Sequence, residues 1–228
     1  MIVDTEQAAE LIHRSREATS PQRSLLVGLS GIDGSGKGFL SKQLVDILQA
    51  RRIKAVHLNV DGWLNLPHVR FSDRDPGRHF YLNAIRFDQM FQQLILPLKQ
   101  MRRIFLEADF AEETATEFRR HLYQFEDVDV ILLEGIYLFK YAYRSHFDLK
   151  IWIECSFETA LDRALARRQE GLSAAETIRA YETIYFPAQR IHFEKDRPQA
   201  AADAVLLNDP RKQNYTILQD VHQKLPLR

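Results

Sequence analysis

Leu25-Leu26-Val27-Gly28-Leu29-Ser30-Gly31-Ile32-Asp33-Gly34-Ser35-Gly36-Lys37-Gly38 joins an apolar run to a glycine-rich turn. From Ser24 to Leu29 the run is short, apolar and bounded by glycines, which suits a buried parallel strand better than a helix. Residues 31–38 match the phosphate-loop pattern GxxxxGK[ST] everywhere except the last position, where Gly38 replaces the usual hydroxyl residue. Beyond the loop, Phe39, Leu40, Leu44, Ile47 and Leu48 return to one face, so Lys37 to Ala50 reads as a helix. Strand, loop and helix in immediate succession are the setting this pattern requires. The glycines let backbone N–H groups turn inward around phosphate oxygens, Lys37 reaches the β and γ phosphates, and the helix aims its positive end at them. The expected nucleotide-binding set is therefore Gly31, Asp33, Gly34, Ser35, Gly36, Lys37, Gly38 and Phe39, with ATP and Mg²⁺ as cofactors. Gly38 offers no hydroxyl to the metal, and because Mg²⁺ often keeps several waters, weaker metal binding rather than none is expected.

Toward the start of the chain, Asp4 and Gln7 form a capping-box pattern ahead of Ala8, Leu11, Ile12 and Ser15, predicting a helix over residues 4–18. In the other direction, residues 54–60, 128–133, 149–153 and 204–207 read as further strands, and Asp61 to Arg78 as a long loop. Phe87 to Leu98 carries a helical pattern broken near Pro97. Ser156 is a plausible N-cap for a helix running to Gln169. Residues 168–199 read as one or two helices leaving the sheet and returning, and a last helix is expected from Lys212. Strands alternating with helices imply an α/β fold of the P-loop NTPase type: a doubly wound, mainly parallel sheet of about five strands with helices on both faces. One domain over residues 1–228 is expected, with an N-terminal helix within 1–20 and a lid-like insertion at 168–199.

The chain has 228 residues, with 31 basic residues balancing 31 acidic ones. Zero net charge disfavours nucleic acid or an anionic membrane as a partner. The N-terminal stretch has no apolar signal region and no later run suits a membrane span, so a soluble, cytoplasmic protein is expected. The single cysteine, Cys155, excludes an internal disulfide and reads as a buried inert thiol. The eight histidines lack metal-ligand spacing. Oligomeric state stays open, with a homo-oligomer among the options.

Ligands of open parallel sheets bind beyond the carboxyl ends of the strands, which gives weight to acidic residues directly after strands. Asp61 follows one predicted strand and Glu134 another. Asp61 is the candidate acceptor of a proton from an attacking hydroxyl, and Glu134, with Asp61 beside it, the candidate metal holder. Arg163, Arg167 and Arg168 are spaced so that they can converge on one side of a helix, where guanidinium groups suit phosphate oxygens; a solvated basic face fits the same spacing equally well.

Together these residues resemble the uridine kinase and phosphoribulokinase family of P-loop kinases, over about Leu25 to Asp209. Asp61-Gly62-Trp63 is similar to the family's DGF element, whose aspartate the resemblance makes the catalytic base. Ile131-Leu132-Leu133-Glu134-Gly135-Ile136 is similar to its VIxEGI element. Arg163 and Arg167 look like the arginines leading into its lid, so the implied catalytic set is Asp61, Lys37, Arg163 and Arg167. Tyr185-Phe186-Pro187-Ala188 resembles the lid's return, and Val205-Leu206-Leu207-Asn208-Asp209 the final strand. Two departures stand out: Gly38, and Tyr81-Leu82-Asn83-Ala84 in place of FDHP, which puts Asn83 where the family has histidine. Asp109 is weakly similar to a substrate-binding aspartate. The implied activity is ATP-dependent phosphorylation of a small-molecule hydroxyl, a nucleoside foremost, with Asp61, Trp63, Tyr81, Asn83 and Arg86 as candidate acceptor-binding residues and Phe80 beside them, core packing being an at least equal reading for Phe80, Tyr81 and Trp63. Alternatives are a kinase for pantothenate, a sugar phosphate or glycerate, or a nucleotide-binding regulator with little transferase activity because of Gly38.

Overall fold

The computed structural model describes residues 1–167 and 171–212. The expected helix from Lys212, the end of the helix running to Gln169, and Arg168 fall outside the described residues.

A two-residue strand β1 (Ile2–Val3) precedes helix α1 (Thr5–Glu17), which Asp4 and Gln7 cap reciprocally as their spacing predicts. Strand β2 (Leu25–Gly31) is buried along its whole length and runs through the loop into α2 (Lys37–Ala50). Strand β3 (Ala55–Asn59) ends in a 3₁₀ turn, Val60–Gly62. The stretch expected as a loop up to Arg78 holds a short helix α3 (Pro67–Arg70) and the start of α4 (Pro76–Asn83). Pro76 at the first helical position, with the Asp75 carboxylate accepting from the Arg78 amide, starts α4. Helices α5 (Phe87–Met90) and α6 (Leu96–Met101) are joined without a break by a π turn, Phe91–Ile95.

Strands β4 (Ile104–Phe110) and β5 (Arg119–Phe125) form an antiparallel hairpin that pairs Asp109 with Arg120. Strands β6 (Val130–Gly135) and β7 (Leu149–Glu154) return to the main sheet. Helix α7 (Phe157–Arg167) begins under the Ser156 hydroxyl, which accepts from the Thr159 amide. Helix α8 (Ala174–Ala180), a second π turn (Tyr181–Tyr185), α9 (Phe186–Asp196) and α10 (Pro198–Ala201) lead to β8 (Ala204–Leu207).

Among the described residues the sheet has six parallel strands in the order β1-β8-β7-β2-β6-β3. It exceeds the expected five by β1, whose two residues are too short to show a period. One face, through Val27, Leu29, Leu132 and Ile151, buries against Ala8, Ile12, Leu40 and Leu44 of α1 and α2. The other, through Leu26, Ile131, Leu133 and Trp152, packs under Phe91, Leu94 and the aromatic residues of the helical segments.

Pro97 bends no helix apart. Both π turns lie two residues before a proline, Pro97 in one case and Pro187 in the other. Proline lacks an N–H, and its ring crowds the carbonyl four residues back; widening the preceding turn relieves that contact without ending the helix.

Candidate active site

The phosphate loop leaves the carboxyl end of the central strand β2, flanked by β6 and β7. Gly36 is left-handed (φ 86°), and a Cβ there would stand 2.4 Å from Asn208 Nδ2. Only glycine accepts both conditions. As N-cap of α2, Gly36 makes no side-chain capping bond, so the first-turn amides point from an uncapped, positive helix end. The loop is braced from behind. Asn208 Nδ2, just past β8, donates to the Ser35 carbonyl at 2.7 Å, and Arg163 Nη1 and Nη2 donate to the carbonyls of Gly34 and Asn208 at 3.3 and 3.0 Å.

A cavity of about 310 Å³ opens over the loop. Asp33, Gly34, Gly36, Lys37, Gly38 and Phe39 line it, with Asn59 and Asp61 from the end of β3, Glu134 from the end of β6, and Arg167, Thr177 and Tyr181 from α7, α8 and the second π turn. Gly31 and Ser35 sit behind this lining. Lys37 is buried, and its Nζ donates to the Ile32 carbonyl at 2.9 Å. Asp61 is exposed to the cavity, yet desolvation by the protein around it pushes its carboxyl above the ordinary carboxylate range; Lys37 pulls the other way, and Glu134 and Asp33 add to the rise. Glu134 is buried, and its Oε2 lies 2.8 Å from His57 Nε2.

A second space of about 560 Å³ adjoins the first on the outer side of β3. His57, Asn59 and Asp61 line it on one side, and Phe110, His121 and Tyr123 of the hairpin on the other. Asn59 and Asp61 therefore face both spaces.

The expected acceptor-binding residues divide. Asp61 stands between the two spaces, but Trp63, Tyr81, Asn83 and Arg86 line neither. Trp63 is core, stacked on Tyr123. Tyr81 is buried with its hydroxyl 2.5 Å from Asp196 Oδ2, Asn83 Nδ2 bonds its own helix at the His79 carbonyl, and Arg86 donates to the carbonyls of Leu64 and Asp109. Phe80 lies in the core against Phe71 and Tyr185. The lid arginines divide as well: Arg167 reaches the cavity, whereas Arg163 braces the loop. Asp109 is paired with Arg120. Cys155 is buried, and burial pushes its thiol up to about 11, as expected of an inert cysteine.

Three groups went unread in the sequence. His57 lies on a strand whose alternation could have placed it beside Asn59. Tyr181, whose hydroxyl donates to the Asp33 carboxylate, carries no motif. The hairpin aromatics lie on strands whose sequence carries no motif.

The oxygen donors suit Mg²⁺. Among the described residues no three His, Cys, Asp or Glu side chains gather into a metal cage, but Mg²⁺ bound beside phosphates needs only one or two carboxylates. Glu134 supplies one, facing Gly38 at the mouth of the loop: a Cβ built on Gly38 would meet only its Oε2 and Oε1, at 3.6 and 3.8 Å.

A family model for the phosphoribulokinase/uridine kinase family matches residues 26–183, more than half of the chain. The chain belongs to this family. As a family member it is a P-loop nucleotide-binding kinase, a phosphotransferase acting on a small molecule, and the loop, Lys37 and the strand-end carboxylates occupy the ligand-binding edge of its sheet. Solved structures share the fold. One, described as a possible uridine kinase from Bacillus stearothermophilus, is 19% identical with a TM-score of 0.68, covering 88% of this chain and 98% of its own. Another, D-glycerate 3-kinase from Cryptococcus neoformans var. grubii serotype A, is 16% identical with a TM-score of 0.62, covering 90% and 95%. No curated protein matches the chain. Among the described residues no helix is long and apolar enough to cross a membrane.

Proposed function

We propose that this family member transfers the γ-phosphoryl group of ATP to a hydroxyl of an uncharged small molecule, a nucleoside such as uridine foremost. One observation carries the reading: Asp61 faces both the phosphate-loop cavity and the groove beside it, where a donor phosphate and an acceptor hydroxyl would meet. The described groove lining contains no lysine or arginine, whereas a phosphorylated acceptor calls for such cations. Phe110 offers an aromatic surface to a base and His121 a polar edge, with Tyr123 in the same wall.

In this reading the loop amides and Lys37 hold the triphosphate. Mg²⁺, held through Glu134 together with phosphate oxygens and water, would supply charge neutralisation on the transferred group. Asp61 takes the proton from the acceptor oxygen, and its raised pKa favours that role. Arg167 reaches the same cavity with a further positive charge, and α8 with its π turn forms the wall that excludes water. Arg163 serves by fixing the loop.

The test is ATP turnover with uridine, cytidine, pantothenate, glycerate and a pentose phosphate, in wild type and Asp61→Asn. Phosphorylation of a nucleoside, reduced by a factor of about 10²–10⁴ in the variant, is expected for loss of a general base. Turnover confined to the phosphorylated or carboxylate acceptors would reject the nucleoside, and an undiminished variant would remove Asp61 from the base role. Gly38 favours a second reading, a nucleotide-binding regulator; tight ATP binding without product from any acceptor would select it.

A further inference from the structure

We propose that His57 is a positioning residue for the metal-facing carboxylate of Glu134, and that this pair makes up for the hydroxyl missing at Gly38. The inference rests on the kinase reading above and extends it to a residue outside every motif in the chain.

In the parallel register of β3 and β6, Asn59 lies opposite Glu134 and His57 opposite Leu132. His57 and Glu134 are thus diagonal neighbours, on the face of the sheet that α2 covers. Gly38, in the first turn of α2, lies at the upper end of that face. The Glu134 carboxylate stands where a side chain at position 38 would grow, at ordinary contact distance from the built Cβ. A loop ending in serine or threonine would bring its hydroxyl there. Here that space is bordered by a carboxylate from the neighbouring strand.

A buried carboxylate on a flexible side chain needs partners to hold one orientation. His57 supplies one. With the proton on Nε2 it donates to Oε2 at 2.8 Å, while Oε1 bonds no described residue. One oxygen is anchored and the other is left for a cation at the cavity wall. Hydrogen bonds of this kind, behind a metal ligand, typically change metal affinity by about 10–100-fold when removed. His57 also lines the outer groove, so the contact that orients Glu134 forms part of the partition between the two spaces.

The experiment is a titration of Mn²⁺, as a paramagnetic stand-in for Mg²⁺, into the protein saturated with ADP, with bound metal read by electron paramagnetic resonance. His57→Ala is expected to weaken Mn²⁺ binding about tenfold or more, while ADP affinity without metal stays within about twofold of wild type. His57→Gln, which retains an N–H donor, should recover part of the loss. Gly38→Ser in the His57→Ala background should recover more, by returning the hydroxyl to its usual place. Mn²⁺ affinity unchanged in His57→Ala, with ADP bound normally, would overturn this proposal alone. Failure of the wild type to bind ADP would overturn it together with the kinase reading.

Discussion

The Tyr181 hydroxyl donates a hydrogen bond to the Asp33 carboxylate, joining the second π turn to the phosphate loop across 148 positions of sequence. The bond ties the segment that roofs the cavity to the loop that floors it. Tyr181→Phe keeps the ring packed on Tyr185 and Phe186 and removes the hydroxyl. Loss of about 1 kcal/mol or somewhat more is expected, and it should appear as an ATP KM raised about three- to tenfold, with the acceptor KM unchanged. An ATP KM identical to wild type would show that the roof closes without this bond.

Gly36 predicts a sharper loss. Its left-handed backbone costs an L-residue about 1–2 kcal/mol, and a methyl there would collide with Asn208 as it braces Ser35. Gly36→Ala should lower the melting temperature by a few degrees and weaken ATP binding at least tenfold, measured by thermal unfolding and calorimetry. Stability and affinity both equal to wild type would refute the brace.

Tyr81 separates two roles the sequence could not. Its hydroxyl bonds buried Asp196, which also accepts from the Tyr141 amide and pairs with His192. Tyr81→Phe should cost about 1–3 kcal/mol of stability, the usual result of losing a hydrogen bond to a charged group, with the acceptor KM within about twofold of wild type. A raised acceptor KM without loss of stability would return Tyr81 to the acceptor site.

Asp209 supplies the pH-dependent case. Burial alone would raise its carboxyl, but bonds from Ser156, Thr159 and the Arg211 amide outweigh burial and hold it well below the ordinary range. The ionised form is therefore the one that folding favours. Its contribution is fully present above the unfolded value of about 3.9 and is lost as pH falls toward the lower folded value. Asp209→Asn should cost about 1–3 kcal/mol at neutral pH, and the gap from wild type, followed by denaturant unfolding, should narrow below about pH 4. A gap constant with pH would mean that the carboxylate charge is immaterial.

The chemistry of the loop was legible because strand, glycines, lysine and helix are contiguous, and α2 spans Lys37–Ala50 as its apolar spacing predicts. Asp61 and Glu134 were legible because a carboxylate directly after a strand has one place to go in a parallel sheet. The acceptor side was not. Trp63, Tyr81 and Arg86 are residue types equally suited to a pocket or a core, and only tertiary packing decides between them. The groove depends instead on the β4–β5 hairpin, whose burial alternates in the structure but whose exposed Phe105 and Leu122 blur that alternation in the sequence. His57 acts through a diagonal contact set by strand register, and register is invisible until both strands are known to be neighbours.

The brace from Asn208 also orders events in time. Residues 31–38 leave the ribosome before their brace does: the side chain that holds Ser35, and the carbonyl that anchors Arg163 beside the loop, follow a strand made more than 160 residues later. Until that strand docks on β7, with β1 closing over its other edge, a nascent chain carries the whole phosphate-loop sequence without the support that shapes it. Nucleotide is thus a ligand of the finished protein and gives little help to a half-made one, because binding stabilises only the state that already holds the site.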